Sequence, residues 1–185
     1  MITVVTGNKN KAAEVAAFFQ GITDISHISF DCIEPQSDDI VEIAQAKAQQ
    51  AYAALKIPLI VDDTGLFIEA LSGFPGPYAA YIQDTLGNAG ILRLMEGITN
   101  RHAYFATSIA YVDETGIRTF EGRIEGEIAD APCGADGFGY DPIFSVQGRT
   151  LAEMDMAEKN TVSHRARALF AFREWYISAR SERNR

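Results

Sequence analysis

Apolar residues recur along the chain with two spacings, one typical of strands and the other of helices. Short β-branched runs at residues 2–6 and 25–30 predict two strands. Between them, Val15, Phe18 and Phe19 are spaced as on one face of a helix. The chain is therefore predicted to open with a strand, a glycine-containing loop, a helix and a second strand.

Two further helices follow from composition and spacing. An alanine-rich segment from Ile40 to Leu55 predicts a long helix, for which Asp38 or Asp39 is a suitable N-cap. Residues 87–96 predict a short helix whose apolar stripe belongs to the core.

A long β-hairpin is predicted in the second half of the chain. Residues 104–112 and 117–129 flank the turn sequence Asp-Glu-Thr-Gly at positions 113–116. Gly122 and Gly126 are expected to mark bulges or bends in the second arm.

The stretch at residues 61–66 is expected to organise the rest of the chain. It lies between two apolar runs, residues 57–60 and 67–71, so Asp62 and Asp63 are expected at the end of a strand. Successive side chains of a strand point to opposite faces, so one aspartate should face the chemistry and the other should hold the loop. Taken alone, however, the hexapeptide favours a simple turn, since Asp, Thr and Gly are common turn residues.

Length and composition favour one globular domain spanning residues 1–185. The chain is 47% hydrophobic and 22% charged, and it contains no apolar run of about 18 residues that would predict a membrane span. Its start lacks the features of a signal peptide. Cys32 and Cys133 are isolated from each other, which argues against structural zinc or a disulfide framework and favours a cytoplasmic protein.

The charge distribution is uneven. The formal net charge of −9 argues against a general nucleic-acid-binding protein. Residues 1–11 carry two lysines and no acid, and residues 159–185 carry seven basic and two acidic residues. If the two ends meet in the fold, they would form a small anion pocket, although the last three arginines, Arg180, Arg183 and Arg185, are expected to form a solvated tail.

Three segments contain candidate ligand-binding chemistry. The loop at residues 6–11 precedes a helix N-terminus, which can bind a phosphate, although an ordinary βα turn fits it equally well. Residues 134–144 place the aromatic rings of Phe138 and Tyr140 among three glycines, which favours a flat ligand over a plug for the core. Ser163 is a suitable N-cap that would place His164 and Arg165 in a first helical turn, where cations oppose the helix dipole, as often happens at functional sites.

Together these segments resemble the inosine/xanthosine triphosphate pyrophosphatases, also called non-canonical purine nucleoside triphosphate pyrophosphatases. The resemblance is carried, in the family's order, by Thr6-Gly7-Asn8-x-x-Lys11, Val61-Asp62-Asp63-Thr64-Gly65-Leu66, Phe138-Gly139-Tyr140-Asp141-Pro142, and Lys159 with Ser163-His164-Arg165. It implies an α/β fold: a single domain with a long twisted mixed β-sheet flanked by helices, and two lobes around a central nucleotide cleft. It further implies Mg²⁺-dependent hydrolysis of ITP, dITP and XTP to the monophosphate and pyrophosphate, usually by a homodimer.

The resemblance also implies a role for each matching residue. Asp63 would be the catalytic residue and a metal ligand, Glu34 the second acidic ligand with Glu42 as the alternative, and Thr64 a substrate contact. The triphosphate would be held by Thr6, Gly7, Asn8, Lys9, Asn10 and Lys11, and the base by Phe138, Gly139, Tyr140, Asp141, Lys159, His164 and Arg165. Lys159 or Arg165 would donate to the 6-carbonyl of the purine.

Two other functions stay open. The first is a related pyrophosphatase that acts on pyrimidine or modified nucleotides. The second is a nucleotide-binding module without catalysis, for which a carboxylate at position 63 would not be needed.

Overall fold

The fold alternates strands and helices around one long sheet. The computed structural model describes residues 1–183, with the backbone alone for the last four, so the predicted arginine tail lies outside the described side chains. The strands are β1 (Ile2–Val5), β2 (Ile25–Ile28), β3 (Leu59–Ile68), β4 (Pro75–Gly76), β5 (His102–Asp113), β6 (Gly116–Ile128), β7 (Phe144–Val146) and β8 (Arg149–Thr150). The helices are α1 (Lys9–Phe18), α2 (Ile40–Leu55), α3 (Ala79–Thr85), α4 (Gly87–Leu94), α5 (Met156–Val162) and α6 (His164–Arg183), with 3₁₀ turns at Glu69–Leu71, Asp141–Ile143 and Leu151–Glu153.

The sheet is mixed, as predicted. Its strands lie in the order β2-β1-β3-β5-β6-β7-β8, and β4 pairs with β3 beside this path. Strand β1 runs parallel to β2 and β3, whereas β3, β5, β6, β7 and β8 pair in antiparallel fashion. The α/β class with helices flanking a long mixed sheet is therefore confirmed. None of the helices in the described part of the chain is long and apolar enough to cross a membrane.

Strand β3 overturns the prediction of a break at the paired aspartates. It runs without interruption for ten residues, and each of them pairs with β5, from Leu59 opposite Val112 to Ile68 opposite Ala103. Asp62 and Asp63 therefore lie within a strand and not at its end or in a turn. The sheet fixes the backbone there, so the turn preference of Asp, Thr and Gly is overridden.

The predicted hairpin is confirmed as β5–β6, but its predicted bulges are wrong. Pairing is one to one from His102 opposite Glu127 to Asp113 opposite Gly116. A Cβ on Gly122 would lie 2.1 Å from the carbonyl oxygen of His164. The missing side chain thus allows α6 to pack directly against the strand.

The first two helices begin at side-chain caps. Helix α2 has the predicted bounds, and the Asp39 carboxylate accepts a hydrogen bond from the Val41 N–H. Helix α1 starts earlier than the apolar spacing predicted, because Asn8 caps it through the N–H groups of Asn10 and Lys11. Lys9 and Lys11 are therefore in the first helical turn.

Apolar clusters cover both faces of the sheet. On the face toward α2, Leu59 and Val61 of β3 pack with alanines of the helix. On the face toward α1 and α6, Ile60 belongs to one cluster and Leu66 to another. A polar layer therefore separates the two clusters on this second face.

Candidate active site

The polar layer consists of three side chains on two neighbouring strands. Asp62 and Thr64 occupy the two positions of β3 between Ile60 and Leu66 that face α6. Thr107 of β5 lies directly opposite Thr64. Helices α1, α5 and α6 bring charged side chains onto this layer.

An alternating chain of acids and bases crosses the layer. Asp141 contacts the Lys159 ammonium at 2.6 Å, and Lys159 contacts Glu14 at 2.5 Å. Glu14 pairs with Arg165, whose Nε donates to Asp62 at 3.1 Å. Asp62 in turn lies 3.1 Å from the Nζ of Lys11. Three acids therefore match three bases, and all six except Lys11 are classed as buried.

The two basic ends of the chain meet at this layer, as the charge distribution predicted. Arg165 and Lys11 converge on the same oxygen of Asp62. Ser163 lies at the start of α6, as predicted, and its Oγ accepts from the N–H of Ala166. The unfavourable position of Arg165 beside the helix N-terminus is offset by its two carboxylate partners.

These ion pairs shift the ionisation of their members. Burial disfavours the carboxylate of Asp62, but Lys11 and Arg165 outweigh burial and hold its pKa well below the usual range. Burial lowers the pKa of Lys11, Arg165 and Lys47 lower it further, and Asp62 offsets only part of this shift. Asp62 is therefore a fixed anion around which the cations are arranged.

Asp63 points to the opposite face of β3. Its Oδ1 accepts from the Nζ of Lys47 at 3.0 Å, and the same ammonium donates to Glu34 at 2.7 Å. Burial raises the pKa of Asp63, and Lys47 offsets only part of this shift. Its Oδ2 is buried and has no hydrogen-bond partner within residues 1–183. The hydroxyl of Ser108, directly across on β5, also has none.

The Asp63 group suits a hard cation such as Mg²⁺. Lys47 contacts both Oδ1 of Asp63 and the half-exposed carboxylate of Glu34, while Oδ2 of Asp63 has no hydrogen-bond partner among the described residues. Among the described residues there is no ready-made cluster of three acidic, histidine or cysteine ligands. Magnesium commonly uses only one or two carboxylates, together with phosphate oxygens and water, so the two acids fit. Glu42 is exposed and accepts instead from Ser37, which favours Glu34.

The loop before the 3₁₀ turn Asp141–Ile143 supplies the wall next to Lys159. Asp141 accepts from the N–H of Phe138 at 2.7 Å and from Lys159, and burial raises its pKa. The Nζ of Lys159 lies 4.8 Å from the centre of the Phe138 ring. Gly139 has a positive φ of 61° and its carbonyl accepts from Asn88.

The structure corrects the prediction that Tyr140 offers a ring face to a ligand. Its ring is buried in the apolar cluster around Phe105 and Phe144, and its hydroxyl donates to the carbonyl oxygen of Ala79. Of the two aromatics in this loop, Phe138 alone is partly exposed. Tyr140 therefore anchors the Phe138 loop to the apolar core.

The predicted phosphate loop lies at the α1 end of the chain of ion pairs. The Oγ of Thr6 accepts from the N–H of Asn8, and the Asn8 side chain caps α1. Gly7, Lys9 and Asn10 are exposed. The loop is therefore open to solvent, with Lys11 as its inward-facing cation.

Two of the cavities along the sheet differ in their lining. One of about 230 Å³ is lined by Glu14, Phe138, Lys159 and Asn10, together with residues of α1 and the start of α5. The other, about 410 Å³, lies on the α2 face beside Phe67 and contains no predicted site residue. The smaller cavity is the better candidate site, because Asn10, Phe138 and Lys159 of the predicted site line it.

Three residues of this arrangement escaped the sequence analysis. Glu14 joins two cations, Lys47 joins two acids, and Thr107 links β5 to α6. Glu14 is the one acid of α1, but only the fold shows that it points inward. For Thr107, an unremarkable strand residue, the sequence has no signal.

Comparison with known proteins decides the family. A model of the Ham1 family matches residues 2–175 of the chain. The chain belongs to the Ham1 family. A dITP/XTP pyrophosphatase from Saccharolobus solfataricus is 46% identical over 96% of this chain and 94% of its own length. Inosine triphosphate pyrophosphatase 1 from Trypanosoma cruzi is 40% identical over 93% of this chain and 90% of its own length.

Solved structures of Ham1 proteins share the fold. A HAM1 protein from Coxiella burnetii superimposes with a TM-score of 0.81 at 33% identity, covering 98% of this chain and 100% of that protein. The family resemblance deduced from four short motifs is therefore confirmed over nearly the whole chain.

Proposed function

We propose that this protein hydrolyses the deaminated purine nucleotides ITP, dITP and XTP to the nucleoside monophosphate and pyrophosphate, and so clears them from the nucleotide pool. Membership of the Ham1 family and the names of its similar relatives support this activity. The observation that carries it is the chain of ion pairs that joins the Phe138 loop to Lys11. A bound nucleotide would lie along this chain of ion pairs, with its base beside Phe138 and its phosphates beside Lys11.

The two ends of the site have different tasks. At the phosphate end, Lys11 supplies a point charge, and Thr6, Asn8 and the N-terminus of α1 supply short polar contacts. At the base end, the partly exposed ring of Phe138 stacks on the purine. Lys159, His164 and Arg165 close the pocket behind it.

Asp63 accepts the proton of the attacking water. Burial raises its pKa, which makes it a stronger base than an exposed aspartate. Water attacks the α-phosphorus, the bond to the β-phosphate breaks, and pyrophosphate leaves. Asp63 and Glu34 would hold Mg²⁺, which when bound neutralises phosphate charge and polarises the water.

The activity is tested by pyrophosphate release from purified protein. We expect turnover of ITP, dITP and XTP with Mg²⁺ and none after the metal is chelated. Faster turnover of dUTP or dTTP would instead favour the related pyrimidine pyrophosphatase. Tight binding of ITP without any product would favour a nucleotide-binding module.

The second metal ligand is tested by a matched pair of variants. Glu34→Gln should raise the Mg²⁺ concentration needed for half-maximal turnover by about tenfold or more, because one of the two carboxylates is lost. Glu42→Gln should leave it unchanged, since Glu42 faces solvent and Ser37. The reverse result would assign the role to Glu42.

We also expect a cytoplasmic homodimer, built from one domain per chain and acting without a nucleic-acid or membrane partner. Two free cysteines and a net charge of −9 support this setting. Light scattering coupled to gel filtration would give the mass, and a mass of 20.3 kDa would rule out the dimer. A single unfolding transition would support one domain.

A further inference from the structure

A continuous chain of side-chain hydrogen bonds leads from Arg165 to His164 through the polar layer. The Nη2 of Arg165 donates to the Oγ of Thr64 at 3.2 Å. The Oγ atoms of Thr64 and Thr107 are 2.7 Å apart, and the Oγ of Thr107 lies 2.6 Å from the Nδ1 of His164. The two threonines face each other in the register of β3 and β5.

The direction of these hydrogen bonds follows from their first member. A guanidinium donates and never accepts, so the Thr64 oxygen is an acceptor for Arg165. The hydroxyl hydrogen of Thr64 then has one acceptor among the described residues, the Oγ of Thr107. Thr107 accepts there and must direct its own hydrogen to the Nδ1 of His164. The opposite direction would leave the hydrogen of Thr64 without any partner.

His164 is thereby confined to one form. A ring whose Nδ1 accepts a hydrogen bond carries its hydrogen on Nε2 when it is neutral. Burial, together with Arg165 and Lys159, lowers the pKa of His164 well below its ordinary value, which agrees with a neutral ring. The ring also stacks on Phe105 at a centroid distance of 4.7 Å, which fixes its plane. Its Nε2 has no hydrogen-bond partner within the described part of the chain.

Arg165 and Lys159 are less suited than His164 to recognising the 6-carbonyl of the purine. Arg165 already engages Glu14, Asp62 and Thr64, and Lys159 engages Glu14 and Asp141. Lys159 keeps one further N–H, but on a charged ammonium that can rotate, whereas the Nε2–H of His164 is a neutral donor on a fixed ring with no partner among the described residues. A neutral donor with a fixed orientation distinguishes a carbonyl from an amino group, because an amino group would leave it facing another donor.

We propose that Thr107 is a positioning residue: together with Thr64 and Arg165 it holds His164 as the Nε2–H tautomer, which donates to the 6-carbonyl of the bound purine. This inference deepens the proposed function and rests on it for the identity of the acceptor. The tautomer itself is a property of the protein without substrate. It can therefore be measured whether or not the protein hydrolyses ITP.

The test is long-range ¹H–¹⁵N NMR of the full chain, which distinguishes the two neutral histidine tautomers. The chain has three histidines, and His27→Gln and His102→Gln variants assign the other two signals. We expect the Nε2–H pattern for His164 in the wild-type protein and a mixture of tautomers in Thr107→Val. Thr107→Ser should restore the wild-type pattern. Ser108→Ala, on the opposite face of β5, is the matched control and should leave the tautomer unchanged.

Activity supplies the second measurement. In Thr107→Val the ratio of kcat/KM for ITP to that for ATP should fall by about tenfold, and Thr107→Ser should recover it. An Nδ1–H tautomer in the wild-type protein, or an unchanged tautomer in Thr107→Val, would overturn the proposal. An altered tautomer with an unchanged ITP-to-ATP ratio of kcat/KM would contradict recognition of the 6-carbonyl by His164. Absence of ITP hydrolysis in the wild-type protein would instead refute the proposed function.

Discussion

The two faces of strand β3 place neighbouring aspartates in opposite electrostatic environments. Asp62 lies among Lys11, Arg165 and the rest of the chain of ion pairs, and its pKa is lowered. Asp63 has Lys47 as its partner, one of its buried oxygens has no hydrogen-bond partner in the described part of the chain, and its pKa is raised. One residue along the strand thus separates a carboxylate that two cations contact from one that a single cation contacts.

The same contrast appears on β5. Thr107 is hydrogen-bonded to both Thr64 and His164, whereas the hydroxyl of Ser108 is buried without a partner in the described part of the chain. Unsatisfied buried polar groups are costly, so they persist where a ligand completes them or where nothing selects against them. Under the proposed function, the α6 face would position the nucleotide and the α2 face would hold the reacting carboxylate.

The largest expected effect is on turnover. Asp63→Asn removes the proton acceptor, so kcat for ITP should fall by about 10²–10⁴-fold. Steady-state pyrophosphate release measures this, with Glu114→Gln, an exposed residue of the β5–β6 turn, as the matched control. Full turnover in Asp63→Asn would show that the α2 face is not the reactive one.

A large effect on stability is expected on the other face. Asp62→Asn removes the carboxylate that Lys11 and the buried Arg165 share, which should lower the free energy of unfolding by about 3–5 kcal/mol. Urea unfolding followed by circular dichroism measures the change. Asp63→Asn is the matched comparison and should lose less, because its surroundings raise its pKa and so disfavour the carboxylate, whereas those of Asp62 lower its pKa. Equal losses would contradict the division between the two faces.

Stability should also depend on pH through His164. Its pKa is lowered in the native protein, so as the pH falls below about 6.5 the unfolded chain binds a proton that the native protein does not. This group should therefore reduce stability by up to about 1.4 kcal/mol per pH unit below that value.

The pH effect is isolated by comparing wild type with His164→Asn. Both proteins carry His27 and His102, so urea unfolding from about pH 8 to about pH 5 gives the contribution of His164 as a difference. Parallel pH curves for the two proteins would contradict a buried neutral ring.

The smallest expected effects are changes in stability caused by substituting Thr107 and Ser108 on β5. Thr107→Val breaks two hydrogen bonds and should destabilise the protein by about 1–3 kcal/mol. Ser108→Ala removes an unpartnered buried hydroxyl and should stabilise it by about 1 kcal/mol. Thermal unfolding of the two variants checks the signs, and destabilisation by both would show that Ser108 has a partner in solution.

Much of this fold follows from local signals. Helix α2 has its predicted bounds because alanine content, apolar spacing and an N-cap at Asp39 agree. The β5–β6 hairpin follows from two strand-forming segments around Asp-Glu-Thr-Gly. The opposite orientation of Asp62 and Asp63 followed from strand geometry alone.

The remainder depends on contacts between distant segments. The predicted strand end at Asp62 and Asp63 is wrong because β5 pairs with every residue of β3, and because lysines from α1 and α2 neutralise the two aspartates. The predicted bulge at Gly122 failed because that glycine is required by close packing of α6. The ionic role of Glu14 needs α1, α5 and α6 to meet, which no local pattern predicts.

A crystal structure of the Asp63→Asn protein with ITP and Mg²⁺ tests the central claim most directly, since slow turnover should leave the nucleotide intact. We predict the purine against Phe138, with Nε2 of His164 in hydrogen-bonding distance of the 6-carbonyl oxygen, and the triphosphate reaching Lys11 and position 63. A nucleotide bound in the larger cavity beside Phe67, away from Lys11 and Lys159, would contradict the account.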